Sequence, residues 1–420
     1  MFSWAFFMGI GMFKLIRLAG PLRTLLPFAL LLGVLSGCGE KPAPTTEAFL
    51  EHHWADPVPT QGTPPAAFSS LEASLSPEAC GTCHADQFAA WQTSLHSKAM
   101  GPGLFWQLPL MNQEQGNRCL RCHAPLAEQK ALVALEQGWP NAPQLPPPDY
   151  VDAKLGHQAV MCAVCHVRGH QRFGPPPRGE VASNGPHGGF TVSKAFEDSR
   201  FCAHCHQFPD DGPRVAGKLQ EDTYQQWAAS AYAKEGAGKQ TCQSCHMPDR
   251  KHLWRGIHDP EMTRRAVEVS LKLHDLGAGR HEAVATVRNV GAGHHFPTYM
   301  VPKVELTFYR IDAAGGRAEL GRQFIGWNID TPIKQELSDT RIAAGEARDF
   351  RQLFKAVAGD WRVELVVRVL PAEHYERIYR DSLSRAEHLP AASVPLLRRA
   401  LEEAVATSYE LLRIDVGKDR

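Results

Sequence analysis

Ten of the eleven cysteines fall into pairs separated by two residues, and each pair is followed directly by histidine. The motifs are Cys80-Gly-Thr-Cys83-His84, Cys119-Leu-Arg-Cys122-His123, Cys162-Ala-Val-Cys165-His166, Cys202-Ala-His-Cys205-His206 and Cys242-Gln-Ser-Cys245-His246. Two thiols at that spacing can add to the two vinyl groups on one edge of a haem, while the adjoining imidazole is carried under the ring to bind iron. Zinc ribbons also pair cysteines, but they spend two pairs on one metal and have no need of a histidine after every second Cys. Structural disulfides leave that histidine equally unexplained. The pattern predicts five covalently bound haem c groups, with His84, His123, His166, His206 and His246 as the first iron ligands.

Successive motifs start 39, 43, 40 and 40 residues apart. Such regularity predicts an array in which each unit is a short helix around its haem, with loop between. Residues 76–262 are rich in Gly, Pro and polar side chains, so the macrocycles themselves must supply much of the apolar interior. A body of that length has a radius of gyration of roughly 16 Å. Five haems inside it are close neighbours, and close neighbours exchange electrons.

What faces each iron from the other side separates a carrier from a catalyst, because a second side chain closes the site and an empty face admits substrate. Of the 20 His, fifteen lie outside the first-ligand set. His96, His187, His252, His258 and His294 stand in the most purposeful contexts and are the predicted second ligands, with His295, His157 and His170 as substitutes. His204 lies between the two Cys of the fourth motif and reads as a filler, since it cannot reach the far face of its own iron. Met247 follows a first ligand directly and is badly placed for its own haem. The expectation is of mostly bis-His, low-potential haems.

The remaining Cys38 closes a segment with Lys14, Arg17 and Arg23, an apolar run from Leu25 to Leu35, and Leu35-Ser36-Gly37-Cys38. This reads as a lipoprotein signal peptide over 1–37, complete from Met12 onward, with Cys38 as the lipidated residue. The apolar run is too short to span about 30 Å of hydrocarbon. A Pro-rich tether is expected over 38–75, where His52 and His53 are not expected to bind metal. After the haem domain (76–262), alternating apolar residues predict about six strands and a β-sandwich over 263–371, beginning with Val267, Val269, Leu271 and Leu273. A loop at Gly291–Thr298 would reach back to a haem, and helical spacing predicts a helical segment over 372–420. The expected fold is multidomain: a mainly α and irregular multihaem cytochrome c domain, a β-sandwich and C-terminal helices. Lys plus Arg and Asp plus Glu are both 45, which gives no reason to expect a nucleic-acid partner.

Ser76-Pro-Glu-Ala-Cys80 through Trp91, with Ser94-Leu-His96-Ser-Lys-Ala, resembles the opening of the nitrifier cytochrome c-554 family. Cys242-Gln-Ser-Cys245-His246-Met-Pro and Gly293-His-His-Phe-Pro-Thr298 are similar to multihaem relatives of that group. The resemblance spans about residues 76–300 and implies that His96, twelve residues beyond the first motif His, ligates a neighbouring haem. The chain departs from the tetrahaem founder in its fifth motif and its long C-terminal part. The leading functional expectation is electron transfer between unidentified redox proteins, by a protein lipid-anchored to the membrane, at the outer membrane and facing the periplasm. The alternative is an oxidoreductase acting on a small nitrogen or sulfur compound at one open haem. A third reading makes the sandwich a docking module of a larger redox complex.

Overall fold

The computed structural model describes residues 45–179 and 185–417. The predicted signal peptide and Cys38 lie outside them. Thr45 caps the first helix, its hydroxyl accepting the Ala48 N–H at 3.2 Å, and α1 runs Thr46–His53. Phe49 and His53 are buried and stack at 4.9 Å, with Phe173 edge-on to Phe49 at 5.5 Å. Farther along, Val58, Ala73 and Leu75 join a core containing Leu126, Met161 and Val164. The stretch expected to be a tether is therefore folded from Thr45 onward. Its apolar side chains are few and show no periodicity, yet Phe49, Val58, Ala73 and Leu75 pack with residues of the haem-motif region.

Each motif sits in or beside a short helix. Cys80 is in α2 (Pro77–Gly81), the second motif ends α3 (Gln113–His123), and the third is α4 (Cys162–His166). The fourth ends α5 (Arg200–His206) and the fifth is α6 (Cys242–His246). One helical turn brings residues three apart to the same face, which is the requirement for two thiols serving one ring.

The C-terminal part forms two antiparallel sheets. β1 (Val267–Gly277), β2 (Arg280–Asn289), β3 (Lys303–Asp312) and β4 (Arg317–Ile325) are followed by β5 (Ala347–Lys355), β6 (Trp361–Leu370) and β7 (Tyr409–Gly417). One sheet has the order β5-β2-β1 and the other β7-β6-β3-β4. Ala283, Ala285 and Val287 of the first share one core with Leu306, Phe308, Leu365 and Val367 of the second. All six predicted strands are present. A further two-stranded ladder pairs Trp327–Ile329 with Glu336–Asp339.

The tail is helical only in part. α7 (Glu373–Leu383) and α8 (Ser393–Val405) pack Tyr379, Leu397, Ala400 and Ala404 against Trp106, but residues 409–417 return as β7 along β6. Leu412, Ile414 and Val416 alternate with Arg413 and Asp415, a period of two that only a strand satisfies. From Pro44 onward the chain forms one compact unit, so the boundaries read from sequence mark changes of secondary structure within it. Among the described residues, no helix is long and apolar enough to cross a membrane.

Candidate functional site

All five motifs line a single connected cavity of about 3850 Å³. An ordinary ligand pocket measures roughly 300–1,000 Å³, so this one has room for several large groups. None of the ten motif cysteines is in a disulfide, and the side chains of different motifs meet. Cys80 lies beside Cys162, Cys122 beside Cys205, and Cys202 beside Cys242. The attachment edges of motifs 1 and 3, 2 and 4, and 4 and 5 are therefore adjacent. No cluster of three or more His, Cys, Asp or Glu suited to a bare metal ion occurs among the described residues.

Three imidazole pairs face each other inside the cavity. The ring centroids of His246 and His294 are 6.3 Å apart and nearly parallel, at 9°. His166 and His252 are 6.1 Å apart at 38°, and His96 and His206 are 6.2 Å apart at 49°. Two imidazoles sharing one iron through bonds of about 2 Å, each ring centre lying about 1 Å behind its nitrogen, stand with centroids about 6 Å apart.

Hydrogen bonds fix the tautomers. The Nδ1–H of His123 donates to the Ala99 carbonyl at 2.6 Å, that of His166 to Phe173 at 2.7 Å and that of His246 to Arg255 at 2.5 Å. His187, His252 and His294 do the same to Gly189, Arg250 and His295, at 2.8, 3.0 and 2.8 Å. A carbonyl only accepts, so Nδ1 carries the proton and the Nε2 lone pair is left for a metal. Burial pushes His96 down to about 3, and His252 and His294 down to about 4. All three are neutral at physiological pH, the form that ligates iron. The donor set and the cavity fit haem c.

Residues 79–142 match the family model for cytochrome c554 and c-prime. The structure aligns with a penta-heme cytochrome c552 from Thermochromatium tepidum over 82% of this chain and 99% of that one, with a TM-score of 0.55 and 18% sequence identity. The chain resembles the cytochrome c554 family over residues 79–142 and shares its fold with a penta-heme c-type cytochrome. A second solved structure, Northeast Structural Genomics Consortium target SoR45, aligns over 25% of this chain and 73% of that one at 12% identity and a TM-score of 0.17. That likeness carries no argument. No curated protein matches the chain. An alignment over 82% of this chain exceeds what residues 76–262 alone would account for, so the shared fold extends beyond the motif region.

His96, His252 and His294 thus lie opposite first-ligand histidines of motifs 4, 3 and 5. His96 is held by a relay: Trp91 Nε1–H donates to the Val160 carbonyl at 2.8 Å, and the Val160 N–H donates to the His96 carbonyl at 3.1 Å. His187 borders the cavity beside Glu72, whose carboxylate accepts the His187 N–H at 2.7 Å. His258 borders it near Lys98. Among the described residues, the three facing pairs include neither His84 nor His123. The substitutes His157 and His170 turn Nε2 toward Glu136 and the Gly62 carbonyl, at 2.7 and 3.1 Å. That nitrogen is then a donor and is lost to iron. His204 stacks on Trp54 at 4.8 Å and 9°. His53 donates Nε2–H to the Cys165 carbonyl at 2.9 Å, a structural part that sequence reasoning did not assign it.

Sequence reasoning also passed over Trp54 and Arg168, which meet at the third motif, and Tyr375 of α7. Burial pushes the Tyr375 phenol up, and the Glu221 carboxylate adds to the rise. Arg168 carried one signal, its place two residues after a motif His.

Proposed function

We propose that the chain is a pentahaem electron-transfer protein whose five motifs carry one continuous relay. The observation that carries this reading is the set of three imidazole pairs at 6.1–6.3 Å. When bound, haem supplies one-electron chemistry by cycling between ferric and ferrous iron. The protein's own share is to hold the axial imidazoles, tie the Nδ1–H groups of His166, His246, His252 and His294 to carbonyls and keep the attachment edges of neighbouring motifs close. His206 with His96, His166 with His252 and His246 with His294 hold three irons. His187 serves the first motif, since its neighbour Glu72 lies beside Arg172, which in turn lies beside Cys80. The two facing sheets read as a β-sandwich whose inter-strand loop delivers His294.

One observation favours a second reading, in which the haem of Cys119, Cys122 and His123 takes a small nitrogen or sulfur compound. His123 belongs to none of the facing imidazole pairs among the described residues, and Tyr375 of α7 lines the same cavity. Low-temperature EPR on the oxidised, haem-replete protein tests both readings together. Four low-spin irons and one high-spin iron that binds nitric oxide support an open second haem within a relay. Five low-spin irons return His258 to the ligand set and leave a pure carrier.

The Leu-Ser-Gly-Cys38 sequence supports a lipid-anchored, exported protein that exchanges electrons with partner proteins at the outer membrane. Cys38→Ala is expected to move the cytochrome from the membrane fraction to the soluble periplasmic fraction with its haem content unchanged. Retention of the variant in the membrane would remove the anchor from the account.

A further inference from the structure

Arg168 is 5% exposed, and what surrounds it is incomplete. Its Nε–H donates to the His53 carbonyl at 2.7 Å, and its Nη1 donates to the Val164 and Val167 carbonyls at 3.0 and 2.6 Å. The guanidinium lies 5.2 Å from the centre of the Trp54 ring. These partners orient the cation without neutralising it. Among the described residues no carboxylate forms an ion pair with it, and Nη2 is buried with no hydrogen-bond partner. The Glu128 carboxylate acts on it through space but accepts the Gln61 N–H at 2.6 Å and the Tyr150 hydroxyl at 3.2 Å instead. A buried, unpaired cation is expensive, and a fold that keeps one invites the question of what it acts on.

Its position answers. Val164 and Val167 flank Cys165 and His166, so the guanidinium is laced to the very turn that presents the third motif's second thiol and iron ligand. The fourth motif is close as well, because the same Trp54 ring carries His204 on it. A guanidinium keeps its proton in proteins, so Arg168 brings a full positive charge to this turn.

We propose that Arg168 is a potential-setting residue: its fixed charge stabilises the ferrous state of the haem at Cys162, Cys165 and His166 and makes that haem the favoured resting place for an electron entering the array. Reduction lowers the charge at iron by one, so a cation nearby favours the reduced form. For unit charges about 10 Å apart at an effective dielectric of about 20, the equilibrium shifts by roughly tenfold. This rests on the haem-array reading above.

The test is an EPR-monitored redox titration of the full-length holoprotein, alongside a pyridine haemochrome count. Five haems per native chain keep the array reading, and fewer would sink it before Arg168 is addressed. In Arg168→Met, one midpoint is expected to fall so that this haem's share of electrons at a fixed poise drops about tenfold, with the other four nearly unmoved. A fully haem-loaded Arg168→Met with all five midpoints in place overturns the proposal and leaves the array standing. Should that variant lose haem, Arg168→Lys decides, because it keeps the charge and discards the fork. A native midpoint there supports the charge; a fall as large as full charge removal predicts overturns it.

Discussion

His294→Met is expected to raise the midpoint potential of one haem by on the order of 0.1–0.3 V, within the roughly 0.8 V over which axial ligands tune haem iron. His294 is the natural choice because its geometry is so fully specified. Its Nδ1–H is committed to the His295 carbonyl, and its ring lies nearly parallel to that of His246 at 6.3 Å. A thioether stabilises ferrous iron relative to imidazole, so the sign is upward. The measurement is a spectroelectrochemical titration of variant against native protein. Five midpoints unchanged from the native set would remove His294 as a ligand, and with it the functional tie between the sheets and the haem region. His294→Ala in the same experiment should convert one low-spin iron to high-spin.

Cys202→Ser with Cys205→Ser has the largest expected effect on electron flow. The fourth motif is where contacts converge: Cys205 meets Cys122, and Cys202 meets Cys242. Removing its haem is expected to lower the haemochrome count from five to four and to slow redox equilibration across the array by at least about tenfold, a barrier increase of about 1.4 kcal/mol. The equivalent substitution of Cys80 and Cys83 takes a haem from one end, where the recorded thiol contact is to Cys162 alone, and should leave equilibration among the other four close to native. Stopped-flow reduction by dithionite, followed at the haem absorbance bands, separates the two. Equal slowing in both variants would argue against the fourth motif as the point of convergence.

The five motifs were legible in the sequence because each is local: two thiols and an imidazole that are to serve one ring must lie within five residues. The strands around Val267, Leu306 and Leu365 were legible for the same kind of reason, since alternation is a short-range pattern. β7 escaped because Leu412, Ile414 and Val416 follow directly on the helical spacing of Leu396 to Val405, and the change of period falls within a few residues. α1 escaped because nothing near Phe49 or His53 betrays their burial; their partners are Phe173 and Cys165. Which histidine faces which iron was hidden for a like reason. His96 with His206 and His166 with His252 are pairings that only the folded chain defines, and the cage around Arg168 draws on His53 from 115 residues away.

If Cys38 carries the lipid, the early start of the folded body sets the length of the leash. The chain is already fixed at Thr45, which leaves at most about 25 Å of extended backbone between the acyl chains and the first helix. A protein on so short a line samples a layer near the bilayer rather than the depth of the periplasm. Its search for partners is then confined nearly to two dimensions. Lengthening the line by inserting Gly-Ser repeats before Thr45 would trade that surface search for reach, without touching a single haem ligand.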